Sequence, residues 1–359
     1  NPGPATLEER ERLDPRVKNL PDPADQLPGQ ADVAAPDGPE DAIGAGYLWD
    51  SAFRTKLTVR NYGFFLTEAS GDTPLERNPA VKNVRVAITN NPRLQGVTDE
   101  YFRGFDQRLA DYWRFKEWER EFDGFVKDGN LPNLSLVRLA HDHFGSFGTA
   151  IDGVNTIETQ LADNDYSLGL LVEKVAHSRY AKDTLIFVVE DDAQGGPDHV
   201  DAHRSIAFIV GPYVKQGVVI SQRFNTVSLL RTIEEVLGIK PLGLNDALQA
   251  PMAAVFSATQ TSWTYTAKVP QALRSTQLPV PGANPSRASA NEFKPAHDAT
   301  YWEEQTKGFD FTAEDRIDSE RFNLVIWKGL MGDKPYPYDR DGRDLRAHRG
   351  ELLKHAGSN

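Results

Sequence analysis

Cysteine is absent from this 359-residue chain. That excludes disulfides and thiolate metal sites, so any metal must be held by oxygen and imidazole. Basic residues are short relative to acidic ones, 40 Lys and Arg against 52 Asp and Glu, and the formal net charge is -12. A surface of that sign does not suit nucleic acid, whose phosphates need a basic partner. No run approaches the roughly 18 apolar residues of a membrane span. The first residues, Asn1-Pro2-Gly3-Pro4, have neither the basic start nor the apolar core of a signal peptide, and there is no initiator Met. A processed or truncated chain is expected. The lack of cysteine fits an exported protein, periplasmic or secreted. No internal repeat is visible.

What is present is organised around residues 184–205. Thr184 to Val189 is a run of β-branched and apolar residues, read as a strand buried on both faces because it shows no polar alternation. Glu190, Asp191 and Asp192 follow at once. Gly195 and Gly196 turn the chain, and Asp198, His199, Asp201 and His203 come within a few residues. Ile206 to Val210 then leads away as a second apolar run. In open α/β sheets the ligand site lies outside the carboxyl ends of the strands. A divalent cation is the simplest device for holding Asp191 beside Asp192 against their repulsion.

An earlier stretch has the same plan. Leu134 to Leu139 is an expected strand that runs into His141-Asp142-His143 and Gly145. If the two strands are neighbours, both polar clusters share one rim of the sheet. Other readings of the same residues exist. Asp191-Asp192 can be a turn or helix-cap pair, and each His alone can be a structural His–Asp hydrogen bond. His199 and His203 stand four apart as in zinc-protease helices, but Val200 occupies the place of the required Glu. The loop also lacks the alternating acids of a calcium hand. His177 reads as a charge partner at a helix C-terminus. Ser146, Thr149 and Ser205 are the nearby hydroxyls, and none sits in a nucleophile elbow.

Around these clusters, residues 1–44 are rich in Pro, Gly, Asp and Ala and are expected as an extended arm. Tyr47, Leu48, Trp49, Ala52 and Phe53 predict a short amphipathic helix. Leu57–Tyr62 and Val84–Ile88 predict strands. Phe115, Trp118, Phe122 and Phe125 recur at helical spacing and predict a buried face. Asp163, Asn164 or Asp165 is expected to cap a helix carrying Leu168, Leu171, Val172 and Val175, which completes a βαβ crossover. Val218–Ile220 reads as a short strand. Asn225 and Gly238 bracket a helix with Leu229, Leu230, Ile233 and Leu237. The alternation predicts an α/β fold, a doubly wound and mostly parallel sheet, over residues 45–260. Residues 261–290 read as a proline-rich linker crossing the surface, and 291–359 as an aromatic-bearing appendage ending in a charged tail.

The run Glu190 to Arg204 resembles a signature of bacterial phosphoesterases of the alkaline phosphatase superfamily. The branch in question holds phospholipase C-like and acid-phosphatase-like enzymes, often fused to a YncE-type β-propeller. Asp191-Asp192 and Asp198-His199-Val200 match its Asp-Glu and Asp-His-Val elements. Gly46 to Asp50, Arg60 to Gly63, Asp142-His143, Asp163 to Asp165 and Asn225-Thr226 match in the same order. Phe144 stands where that family has Thr.

The resemblance implies hydrolysis of a phosphate ester with a divalent metal ion (Zn, Mn, Fe or Ca). A hydroxyl nucleophile would attack phosphorus. Asp191, Asp192, His203 and Asp142 would be metal ligands. His143 and His199 would serve in catalysis. The family's first metal-binding segment and its nucleophile lie upstream of the Gly46–Asp50 element. The resemblance therefore implies a carboxyl-terminal portion that works with the amino-terminal half of the same precursor or with a partner chain, such as a propeller-bearing one. A non-catalytic binding or assembly subunit that keeps the fold is the alternative.

Overall fold

The computed structural model describes residues 46–68, 75–89, 91–190, 205–282, 293–312 and 317–336. Their order is helix α1 (Leu48–Arg54), strands β1 (Val59–Tyr62) and β2 (Leu66–Glu68), α2 (Pro79–Lys82), β3 (Ala87–Thr89), α3 (Asp111–Asp128), β4 (Leu134–Val137), α4 (Ile157–Ala176), β5 (Ile186–Val189), β6 (Ala207–Val210), α5 (Thr226–Leu237), α6 (Leu244–Ala247), α7 (Ala299–Gln305) and α8 (Ser319–Met331). The architecture is mixed α/β. Helices surround a short parallel pair, β1 with β4, in which Val59 faces Leu134 and Tyr62 faces Val137. Among the described residues β2 pairs with β3 and β5 with β6, both antiparallel, and no ladder joins β4 to β5. The single rim expected for the two polar clusters is therefore absent from the described ladders.

The core follows from the helical spacing of the aromatics. Phe115, Trp118 and Phe122 lie on one face of α3 and are buried with Tyr62 of β1, Phe102, and Leu171 and Val175 of α4. Trp118 and Phe122 stack with centroids 4.6 Å apart. Helix α4 begins earlier than its apolar pattern suggests. Thr156 caps it by accepting from the Thr159 N–H, so Asp163 stands inside the helix rather than at its start. Asn225 caps α5 by accepting from Ser228, and Gly238 ends it with φ +66°. His177 closes α4 with its Nδ1 3.9 Å from Glu173.

Three expectations are corrected. Residues 218–220 form no strand. The proline-rich stretch does not merely cross the surface. Its Leu273, Leu278 and Val280 are buried against Ala110, Val154 and Tyr166, because the prolines extend the chain and leave its apolar side chains to anchor it. Strand β5 is not covered on both faces. Val189 is 44% exposed, and Ile206 beside β6 and Phe208 on it are 57% and 52% exposed. A strand without polar alternation needs a layer on each side, and among the described residues its only ladder neighbour is β6.

The appendage packs through Trp302 and Phe322 onto Phe147 and Ile157, with Phe309 and Phe311 alongside. Gly329 is required there, since a side chain would run into the Trp302 ring.

Helix α5 is tied down by a carboxyl pair. Glu234, fully buried, lies against Asp246 and pairs with Arg231 at 3.3 Å, while Asp246 accepts the Leu242 and Gly243 N–H groups. Burial and the Asp246 charge push the Glu234 carboxyl up to about 7, and those hydrogen bonds lower Asp246 despite its burial. A raised acid binds its proton more tightly when folded. Its stabilisation is complete below the unfolded value and is lost as pH rises towards 7. We expect stability to fall between about pH 5 and 8, and Glu234→Gln to flatten that fall by ~1 kcal/mol or more. Urea melts at a series of pH values measure it. A slope identical to wild type would remove Glu234 from the account.

Candidate functional site

The parallel pair delivers the candidate residues. Strand β4 ends at Val137, and Ala140 to Gly145 follow at its carboxyl end. His141 is completely buried. Its Nδ1 lies 2.7 Å from Asp163 Oδ2 and its Nε2 3.0 Å from the Gln107 carbonyl oxygen. With Asp163 ionised both partners are acceptors, so both ring nitrogens donate and the ring is an imidazolium; burial and the Asp111 charge raise the Asp163 carboxyl, and the bond to His141 and its charge oppose that rise. Burial alone would pull this histidine down, but the bond to Asp163 and the Asp111 and Asp163 charges outweigh it, and its pKa is raised.

Asp163 also caps a helix other than its own. It accepts from the Asp111 N–H at 2.6 Å and the Tyr112 N–H at 3.1 Å, the first turn of α3. The carboxylate there meets the positive end of the helix dipole. Asp111 in turn accepts from the Ala140 and His141 N–H groups, each at 2.9 Å, and from Arg114 at 3.0 Å. Burial raises Asp111, yet the Arg114 and His141 charges and those backbone donors bring it below the usual carboxylate value.

Asp111, His141 and Asp163 offer ligand atoms within 4.8 Å of one another, a group that could hold a metal ion. The donor set points to a different use. Every carboxylate oxygen already has a donor, both histidine nitrogens are engaged, and the Arg114 guanidinium stands against Asp111. Two positive and two negative groups close on themselves, and an added cation would face Arg114. The residues fit an ion knot better than a metal centre.

Asp142 and His143 come next and differ in kind. They are partly exposed, at 25% and 12% of the side chain, with His143 Nδ1 3.2 Å from Asp142 Oδ1. The His143 ring meets Phe105 edge-on. Asp142 is free of the knot's competing charges and suits a cation as an oxygen ligand.

Of the residues singled out in the sequence, Asp191, Asp192, Asp198, His199, Asp201 and His203 lie outside the described residues. Asp142 and His143 are brought together. His141, grouped with them in sequence, points inward into the knot. Sequence reasoning missed Asp111 and Arg114, whose only signal is an i,i+3 acid–base pair at the start of a helix. It gave Asp163 a cap on its own helix and a place in the family resemblance, but no contact with His141.

The acid–imidazole pair lies just past the carboxyl end of a parallel strand, the place where open α/β sheets bind ligands. Residues 83–240 match the model of the Phosphoesterase family, which supports phosphoester hydrolysis. No curated protein matches the chain. The matched stretch contains β4 to α5 and every candidate site residue named above.

Proposed function

We propose that this chain is a metal-dependent phosphoester hydrolase of phosphatase, phosphodiesterase or phospholipase C-like type. The family match over both polar clusters is the observation that carries the reading. In it, Asp191, Asp192, His203 and Asp142 hold one or more divalent ions, Zn, Mn, Fe or Ca. The metal, when bound, neutralises phosphate oxygens and lowers the pKa of an attacking hydroxyl. His143 and His199 hold or pass the proton of the leaving oxygen, and Asp142 orients His143 through the 3.2 Å contact at Nδ1.

The half-covered faces of β5 and β6 support a further polypeptide on this side. In this reading it is the amino-terminal half of the same precursor or a partner chain, a propeller-bearing one included. It supplies the nucleophile and completes a doubly wound sheet. Export to the periplasm or medium accords with the absence of cysteine. The same exposed strands favour the second reading, an assembly subunit without catalysis.

The test is elemental analysis and hydrolysis of p-nitrophenyl phosphate and its bis-ester, on the chain with whatever co-purifies. We expect bound divalent metal and turnover. Asp192→Ala should lower both, the rate by about 100-fold or more. Metal-free protein that turns over neither ester would favour the assembly subunit.

A further inference from the structure

The loop that carries Asp142 and His143 is held at both ends by buried side chains from other elements. At its start, the two carboxylate oxygens of Asp111 take the Ala140 and His141 N–H groups. At its end, Gln160 on α4 makes two bonds to one residue. Its Oε1 accepts from the Gly145 N–H at 3.1 Å, and its Nε2 donates to the Gly145 carbonyl at 2.8 Å. Gln160 is fully buried, and burying an amide costs stability unless its hydrogen bonds are replaced. Both replacements go to Gly145. Gly145 itself admits no side chain, since a Cβ would meet Gln107 Oε1 and the Phe311 ring. Between these anchors the His141 ring turns inward and Phe144 leans on the Phe147–Trp302 cluster. Asp142 and His143 are the two polar side chains of the loop that stay partly exposed.

We propose that Gln160 and Asp111 are positioning residues: they fasten the 140–145 loop by its backbone, so that Asp142 and His143 are presented as one rigid pair to metal and phosphate. This rests on the phosphoesterase reading for what the pair binds. The fastening itself does not. An amide that both donates and accepts is required at Gln160, because a peptide group has one donor and one acceptor. Rigid support of this kind sets ligand affinity, and loss of an outer partner weakens metal binding by about 10- to 100-fold.

The experiment is Gln160→Met, similar in length and apolar, read by hydrogen exchange and by calorimetric titration with Zn²⁺ alone. Expected is faster exchange confined to residues 138–147, unchanged exchange in the middle of α3, and a Zn²⁺ dissociation constant about 10- to 100-fold larger. Gln160→Glu is the second variant and serves if Gln160→Met does not fold. Its protonated acid can donate and accept as the amide does, so near pH 5 its loop exchange should match wild type at that pH. Near pH 8 it should exceed it. Loop exchange equal to wild type in both variants at both pH values would overturn the proposal. So would faster loop exchange with an unchanged Zn²⁺ constant. If wild type binds no Zn²⁺ while the loop still loosens in Gln160→Met, the fastening stands and the metal reading of Asp142 and His143 fails.

Discussion

Replacing Asp163 by Ala should cost ~3–5 kcal/mol of folding stability, the range for removing one partner of a buried ion pair. The loss is large because three groups lose their acceptor at once. The His141 imidazolium is left without its carboxylate, and the Asp111 and Tyr112 N–H groups at the start of α3 are left bare. None is reached by solvent from the Asp163 side, since Asp163 and His141 are both fully buried. Asp163→Asn should be milder, because an amide oxygen still accepts while the charge is gone. Chemical denaturation of both variants measures this. A cost for Asp163→Ala below about 1 kcal/mol, an ordinary hydrogen bond's worth, would mean that the knot carries no charge. The outcome also bears on metal binding. Divalent ion held at Asp142 should stabilise wild type and Asp163→Asn alike, whereas ion held in the knot should stabilise wild type more than Asp163→Asn.

Phe115→Ala should cost a similar amount, roughly 3–5 kcal/mol, for a different reason. The ring is 5% exposed and sits among Tyr62, Phe102, Trp118 and Leu171, joining α3 to β1 and α4. Its removal leaves a cavity that the neighbours on β1, α3 and α4 cannot easily close. Because β1 pairs with β4, which leads into the loop of Asp142 and His143, loosening should spread to the site. Thermal melting and exchange across α3 and α4 measure it. A melting temperature within a degree of wild type would place the aromatic face of α3 outside the core.

The two substitutions separate what could be read in the chain from what could not. The aromatic face of α3 was legible because helical periodicity is local: residues three and four apart share a side, and Phe115, Trp118 and Phe122 are buried on it, while Phe125 is only partly covered. The same holds for the cap at Asn225, the stop at Gly238 and the strands at 59–62, 134–137, 186–189 and 207–210. The start of α4 was misplaced because acids at 163–165 look like caps, and the Thr156–Thr159 capping pair lies ahead of the clearest apolar pattern. The Asp142–His143 pair was legible as chemistry, an acid and an imidazole just past a strand.

By itself the sequence determined the mixed α/β character, the acidic and cysteine-free surface that limits partners and metal ligands, and the oxygen–imidazole chemistry of the candidate site. Only the tertiary structure decided how three adjacent residues divide. His141 is buried against Asp163, which is 22 positions away, and Asp142 and His143 stay partly exposed. It likewise decided that Asp111 and Gln160 hold their loop. The physical reason is that hydrogen-bond satisfaction of buried groups is a long-range condition. A side chain pairs with whichever donors the packing of α3 and α4 brings beside it, and no local period records that choice.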